Sequence, residues 1–418
     1  MKTGYQNKKC GLIGEKLGHS FSAMIHNQLA DYSFVLREVE RDKLRDFVMS
    51  HELDAYCVTI PYKKDVMPFL DEISPEAQAI GAVNVVVRGA DDRLYGYNTD
   101  YFGFEYMISS AKVNVEGKKA LVFGTGGASA TVCTVLRNKG VSELITIGIE
   151  DNTPENLAKH SDAKIIVNTT PVGMYPKNDA SPTDLSLFPQ CEAVLDVVYN
   201  PAHTSLMLQA ESRGITAVGG LSMLVAQAAK GFEHFTGDSY EDGCIERIIA
   251  SIRKSTGNIV LVGMPGCGKS TIGRRVARDL EMPFFDADDE FLTTYDITPA
   301  TAIETLGEEE FRAMESRVLC ELGKKSGVVI ATGGGAVTKE RNYAPLHQNG
   351  AIIFIERDLD KLSKKGRPLS QKIPIEELYA RRIDSYLRFA DRKIRSEENP
   401  ADTVENVKRA VADYYSKI

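Results

Sequence analysis

Residues Gly263-Met264-Pro265-Gly266-Cys267-Gly268-Lys269-Ser270 match G-x-x-x-x-G-K-[ST], directly after the apolar run NIVLV and directly before the helical run STIGRRVARDL. In that setting the glycines turn backbone N–H groups inward around phosphate oxygens, and the positive end of the next helix points at them. Lys269 then reaches the β- and γ-phosphates of ATP, Ser270 ligates Mg²⁺, and Thr271 stands next in the cradle. Downstream, Asp286-Ala287-Asp288 follow the strand-like run PFF. Their spacing predicts two carboxylates on one side of the pleat at a sheet's C-terminal edge, one to hold Mg²⁺ and the other a substrate hydroxyl. A second glycine turn, Gly124-Thr125-Gly126-Gly127-Ala128-Ser129, follows KKALVF and opens ATVCTVLRNKG, with the strand-like LITI behind it. Such a βαβ unit places a dinucleotide pyrophosphate at the helix N-terminus, although a lone glycine turn often means only tight packing.

The elements that must position these residues are legible as short Val- and Ile-rich runs between amphipathic stretches: GLIG from Gly11, AYCVTI from Ala55, ALVFG from Ala120, LITIG from Leu144, KIIVN from Lys164 and AVLDVV from Ala193. Strands alternating with helices predict parallel sheets covered by helices. The rhythm breaks near Gly237, where GDSYEDG is polar and turn-rich and a helix-like stretch leads to Gly257, which reads as a linker; it restarts at Asn258. The chain has 418 residues, more than one ordinary core. The net charge of -8 contains no long block of one sign, which predicts no nucleic-acid or membrane partner. Seven cysteines without a CxxC pair suit a reducing, cytoplasmic setting better than a disulfide framework or a zinc site.

The second half adds Phe311-Arg312 within EEEFRAMESRVL, Gly333-Gly334-Gly335 after VVIAT, Arg367-Pro368-Leu369, and Arg382 within ARRIDSYLRFAD. Singly, each arginine reads as a solvated helix residue and the glycines as a mobile loop. Together and in this order they closely resemble shikimate kinase over residues 256–418. The resemblance implies that Asp288 accepts the proton of the substrate 3-hydroxyl and that Asp286 orders the Mg²⁺ shell. It implies that Arg312 and Arg382 clamp the substrate carboxylate beside Gly334 and Gly335, and that Arg367 belongs to a lid over the ATP phosphates. The segment Gly366 to Pro374 is short for that lid.

The first half carries Gly18-His19-Ser20-Phe21-Ser22, Val58-Thr59-Ile60-Pro61-Tyr62-Lys63, Gly81-Ala82-Val83-Asn84 and Asn98-Thr99-Asp100. To these it adds Asn168-Thr169-Thr170-Pro171, Asp196-Val197-Val198-Tyr199-Asn200-Pro201 and Gly219-Gly220-Leu221-Ser222-Met223-Leu224. From about residue 9 to 236 this resembles shikimate dehydrogenase. By that resemblance Ser20 and Ser22 bind the substrate carboxylate, Thr59, Asn84, Tyr199 and Gln227 bind its hydroxyls, and Lys63 with Asp100 forms the catalytic pair. Gly124, Gly126, Gly127, Ala128, Gly220 and Met223 belong to the cofactor site. His19 reads as scaffolding for the serine loop, and neither it nor His26 sits in a metal-binding pattern. Several positions depart from the family: Cys57 replaces its usual Asn, Ala23 and Lys16 its usual Pro, and Tyr101 the Gly that commonly follows NTD. Ile149-Glu150-Asp151 stands where members that use NADP show Asn-Arg-Thr, so Glu150 suggests NAD where the family implies NADP.

The fold expected is α/β: a dehydrogenase substrate domain (1–103, completed by 221–250), a Rossmann-type dinucleotide domain (104–220) and a P-loop kinase domain with a parallel sheet (256–418). The function expected is reduction of 3-dehydroshikimate to shikimate, then ATP-dependent phosphorylation of shikimate. Two rivals are a kinase fused to a non-catalytic shikimate-binding module, and a quinate or shikimate dehydrogenase fused to another small-molecule kinase.

Overall fold

The computed structural model describes residues 4–18, 20–362 and 374–416. The chain divides into two compact units, the first made of Met1–Gly173, Ser181–Tyr199 and Leu206–Ile249, the second of Met174–Ala180, Asn200–Ser205 and Ala250–Ile418. Two short pieces of the expected dinucleotide domain thus group with the second unit.

The first unit holds two sheets. One comprises β1 (Lys9–Gly14), β2 (Ser33–Glu38), β3 (Ala55–Val58), β4 (Glu72–Ile73), β5 (Val85–Arg88) and β6 (Leu94–Tyr97), in the order β2-β1-β3-β5-β6-β4. It is not fully parallel as the sequence rhythm predicts: β5 runs antiparallel to both β3 and β6. The connection from β5 to β6 is a short turn over Gly89–Arg93, too short for the helical crossover that parallel pairing requires. The other sheet is wholly parallel, with β7 (Lys119–Phe123), β8 (Glu143–Ile147), β9 (Ile165–Asn168), β10 (Ala193–Asp196) and β11 (Thr216–Gly219) in the order β11-β10-β9-β7-β8. Its central strands are buried on both faces, which is why they read as unbroken apolar runs. The helix Leu221–Thr236 packs along the helix Asp100–Ser110 and touches β5, returning the chain to the first sheet.

The second unit is one parallel sheet, β12 (Asn258–Val262), β13 (Phe284–Asp286), β14 (Val329–Ala331), β15 (Gly350–Glu356) and β16 (Arg392–Arg395), in the order β13-β14-β12-β15-β16. An apolar core runs from Ile259 through Phe354 to Tyr414. The stretch read as a linker contains the helix Cys244–Thr256, and its Cys244, Ile245, Ile248, Ile249 and Ile252 are buried at three- and four-residue spacing. That stripe makes it a packed element.

Candidate active sites

In the first sheet, β1 and β3 lie side by side with Ile13 opposite Val58, so the loop to Ser20 and the turn from Thr59 to Lys63 leave the same edge. β5 opposes β3 and β6, with Val85 across from both Cys57 and Tyr97. Asn84, just before β5, and Asn98-Thr99-Asp100, just after β6, therefore reach that edge too. There the Lys63 ammonium donates to Asp100 Oδ2 at 2.6 Å, with side chains only 17% and 8% exposed. Asn84 donates through Nδ2 to Thr99 Oγ1 at 3.1 Å and to Gln227 Oε1 at 3.3 Å, while its Oδ1 accepts the Thr99 N–H at 2.7 Å. A side chain at Gly127 would begin 3.6 Å from Lys63 Cβ and Cδ, so the glycine turn after β7 lies directly against the Lys63 stem. Gly126 caps the helix Gly127–Asn138, presenting backbone N–H groups beside that lysine. Ser20 and Ser22 join through their hydroxyls at 3.0 Å, and Phe21 between them packs on the Tyr199 ring at 5.1 Å. Burial pushes the Tyr199 phenol up.

In the second unit the strands β12, β13, β14 and β15 all point their C-terminal ends at one cleft of ≈ 680 Å³. Gly266, Gly268, Lys269, Ser270, Thr271, Asp286, Asp288, Arg312, Gly334, Gly335 and Arg382 line it. Lys269 is buried and donates to the Gly263 and Met264 carbonyls at 2.9 and 3.1 Å. Asp286 ends its strand and caps the helix Ala287–Tyr295, its Oδ1 accepting the Asp288 N–H at 3.1 Å. The two carboxylates are thus a strand end and a first helical turn, not neighbours on one pleat. Desolvation, with Asp286 and Glu315 close by, pushes the Asp288 carboxyl up to about 6 although it opens onto the cleft. Arg312 is 4% exposed and donates to Glu315 at 2.6 Å and to Glu308 at 3.3 Å; burial opposes its charge, and the two glutamates outweigh burial. Any side chain at Gly335 would collide with that guanidinium at 2.1 Å. Arg382 donates to the Gly334 carbonyl at 3.0 Å, and burial pulls its pKa down. Among the described residues no carboxylate lies within ion-pair distance of Arg382.

A family model described as shikimate dehydrogenase substrate binding domain matches residues 12–86, and one described as shikimate kinase matches residues 265–412. A shikimate dehydrogenase (NADP(+)) of Clostridium beijerinckii is 38% identical over 244 residues, covering 53% of this chain and 90% of that protein. The chain belongs to the shikimate dehydrogenase family. Solved structures agree: shikimate dehydrogenase 1 from Peptoclostridium difficile superposes with a TM-score of 0.53 and 35% identity over 57% of this chain and 95% of that one. A chorismate mutase/shikimate 5-dehydrogenase fusion protein from Clostridium acetobutylicum gives 0.54 and 34% over 58% and 96%. The protein is a fusion of this dehydrogenase with a shikimate kinase domain, an α/β enzyme of the shikimate pathway with two activities.

In the dehydrogenase, the residues expected at the site fall into two groups at one sheet edge: Lys63, Asp100, Asn84 and Gln227 through the hydrogen bonds above, and Ser20, Ser22 and Tyr199 through Phe21. Thr59 follows β3, its N–H bonded to the Ile13 carbonyl at 2.9 Å. Gly220 caps the helix that carries Met223 and Gln227, with Val197 O 2.1 Å from where a Cβ would sit. Cys57 is buried with its Sγ 3.7 Å from His26 Nε2, so the departure from Asn falls on an interior contact. Thr99, within the Asn98-Thr99-Asp100 motif, ties Asn84 and Gln227 together. Glu150 is exposed in the turn after β8, whereas Asp151 folds back, its Oδ2 accepting the Gly148 N–H at 3.3 Å. The acid nearer the strand end is therefore Asp151. In the kinase, Gly263 lies beneath the cleft against Ile355 O. His19 and Arg367 lie outside the described residues. Sequence reasoning missed Glu315, three residues after Arg312 on one helix face, and Arg357, just past β15; the i,i+3 spacing was the available signal for the first.

Proposed function

We propose that the dehydrogenase site reduces 3-dehydroshikimate to shikimate and that the kinase site then phosphorylates the 3-hydroxyl of shikimate, two consecutive steps on one chain. The observation that carries this is the Lys63–Asp100 pair at 2.6 Å with the Lys63 stem against the glycine turn. That geometry supports Lys63 as a sheltered proton donor beside the glycine turn that takes the cofactor. Ser20 and Ser22 hold the substrate carboxylate, and Thr59, Asn84, Tyr199 and Gln227 orient its hydroxyls. A dinucleotide fits the N–H groups at Gly126 to Ala128, and its nicotinamide supplies the hydride. Lys63 protonates the oxygen that the reduction leaves negative, and Asp100 keeps the ammonium aimed. Gly124, Gly220 and Met223 complete the cofactor wall.

The relatives are named for NADP(+). The acids Glu150 and Asp151 after β8 support a different preference, for NAD(H) at least comparable with NADP(H), because a 2′-phosphate there meets like charge.

In the kinase, Arg312 and Arg382 hold the shikimate carboxylate and Asp288 takes the proton from the 3-hydroxyl as that oxygen forms its bond to the γ-phosphorus and ADP leaves. Lys269 turns from the Gly263 and Met264 carbonyls to the phosphates, supported by Gly266, Gly268, Ser270 and Thr271. The all-oxygen set of Ser270 and Asp286 on the cleft wall suits Mg²⁺, which neutralises phosphate charge. The seven cysteines, all free thiols, support a reducing cytoplasmic setting.

One assay decides: 3-dehydroshikimate, a reduced nicotinamide, ATP and Mg²⁺ with the intact chain, following cofactor oxidation and ADP formation together. ADP release that waits for cofactor oxidation, with shikimate 3-phosphate as product, is expected. No cofactor oxidation would leave the dehydrogenase half a binding module.

A further inference from the structure

We propose that Arg357 is a ligand for the phosphates of the kinase's nucleoside triphosphate, a second cation beside Lys269. This rests on the kinase reading above. β15 pairs with β12 in register, with Phe354 opposite Val262, so the residues that follow the two strands emerge together at the sheet's C-terminal edge. The contact is close: the Ile355 carbonyl lies 2.5 Å from where a Gly263 side chain would start. Two residues further on, the Arg357 guanidinium stands 3.9 Å from the corresponding point on Gly268, the glycine that precedes Lys269 and opens the P-loop helix. It lines the same cleft as Lys269, Ser270 and Thr271.

The acids on either side of Arg357 in sequence are taken: Glu356 accepts from Tyr379 at 2.8 Å and pairs with Lys393 at 2.9 Å, and Asp358 pairs with Arg395 at 2.7 Å and Lys361 at 3.6 Å. Among the described residues Arg357 has neither an ion-pair partner nor a hydrogen bond. A planar fork of donors beside the P-loop, with no carboxylate partner among the described residues, is built for an anion. The anion that this cradle takes is polyphosphate, and the side of the cradle on which Arg357 stands is that of Gly268 rather than that of Asp288 and the two arginines of the acceptor pocket.

The test compares wild type, Arg357→Lys and Arg357→Gln in the full chain. ADP affinity by calorimetry and KM for ATP should weaken about 10- to 100-fold in Arg357→Gln, the range for a lost hydrogen bond to a charged group. Arg357→Lys should recover part of it. Adenosine affinity, KM for shikimate and the dehydrogenase rate should stay within about twofold, which separates a phosphate contact from a general disturbance of the domain. ADP affinity and KM for ATP within twofold of wild type in Arg357→Gln would overturn the proposal, as would an equal loss of adenosine and ADP affinity. Because ADP binding is read without turnover, it remains decisive even if shikimate proves not to be the acceptor.

Discussion

The two sites handle charge in opposite ways. In the dehydrogenase, Lys63 and Asp100 meet at 2.6 Å and screen each other, so the site is electrostatically complete before anything binds. In the kinase, Arg312 is paired with Glu315 and Glu308, but Asp288 faces Asp286 and Glu315 while Lys269 is turned to the Gly263 and Met264 carbonyls, and among the described residues Arg382 faces Arg312 without an ion-pair partner of its own. On the proposed reading the ligands bring the remaining partners: cations for Asp286 and Asp288, a carboxylate for Arg382 and phosphates for Lys269. The difference follows from the chemistry. A ketone reduction needs one proton delivered from a fixed donor, whereas phosphoryl transfer assembles several charges and must hold places open for them.

The sharpest break between the two is to remove each site's central group. Lys63→Ala should lower reduction by about 10² to 10⁴-fold, the usual worth of a positioned acid, and leave shikimate phosphorylation near wild type. Asp288→Asn should do the converse by a similar factor, since an amide fills the space but takes no proton. Paired rate measurements on each variant check this, and a parallel fall of both activities in either variant would refute separate sites.

Acid should distinguish the sites next. In its proposed role as base Asp288 must be ionised, and its carboxyl is pushed up to about 6 in the ligand-free protein. With both kinase substrates far below saturation, where the rate reports free enzyme, phosphorylation should fall about tenfold per unit below that pH and flatten above it. Magnesium and ATP put positive and negative charge into the same cleft, so the break should move once they saturate.

Cofactor choice comes third. A like charge about 4 Å from a 2′-phosphate costs on the order of 4 kcal/mol at an effective dielectric near 20. Glu150 is exposed, so screening should cut its share to about 1 kcal/mol or less. Glu150→Arg and Asp151→Asn should each raise the NADPH to NADH ratio of kcat/KM several-fold, from a wild-type value near or below one. A wild-type preference for NADPH of about a hundredfold would need about 2.7 kcal/mol of 2′-phosphate recognition from other residues and would end the idea.

What the sequence disclosed depended on how local the determinant was. The P-loop and the glycine turn after β7 are set by contiguous residues, and the structure has them where spacing put them. The direction of β5 is set by the length of the turn after it, which a list of apolar runs does not weigh. The paired aspartates were expected on one pleat, but the strand ends at Asp286, whose side chain caps the next helix, so Asp288 arrives through a helical turn. Thr99 and Arg357 matter through partners far away in sequence or on a neighbouring strand, and no one-dimensional pattern marks them, whereas Glu315 lies an i,i+3 step from Arg312, a spacing the sequence does carry.

The smallest effect, and the one that bears most directly on the contrast, is on stability without ligands. The folded kinase holds the Asp288 proton more tightly than the unfolded chain does, from an ordinary value of 3.8 to about 6. Folding therefore loses stability as pH rises across that window, and the whole deficit is present above it. Asp288→Asn removes the charge, so at pH 8 the ligand-free kinase should become more stable. The full shift corresponds to about 3 kcal/mol, but the carboxylate opens onto a water-filled cleft, which discounts the gain to about 1 kcal/mol, or a few degrees in Tm. At pH 4 the gain should vanish. Asp100→Asn should act with the opposite sign, because it strands the sheltered Lys63 ammonium without its partner and should cost about 2 kcal/mol. Thermal unfolding of both variants at pH 4 and pH 8 checks this, with the kinase transition identified as the one that ATP shifts. A destabilised Asp288→Asn kinase at pH 8, or an Asp100→Asn dehydrogenase as stable as wild type, would mean that the two sites do not differ in charge compensation.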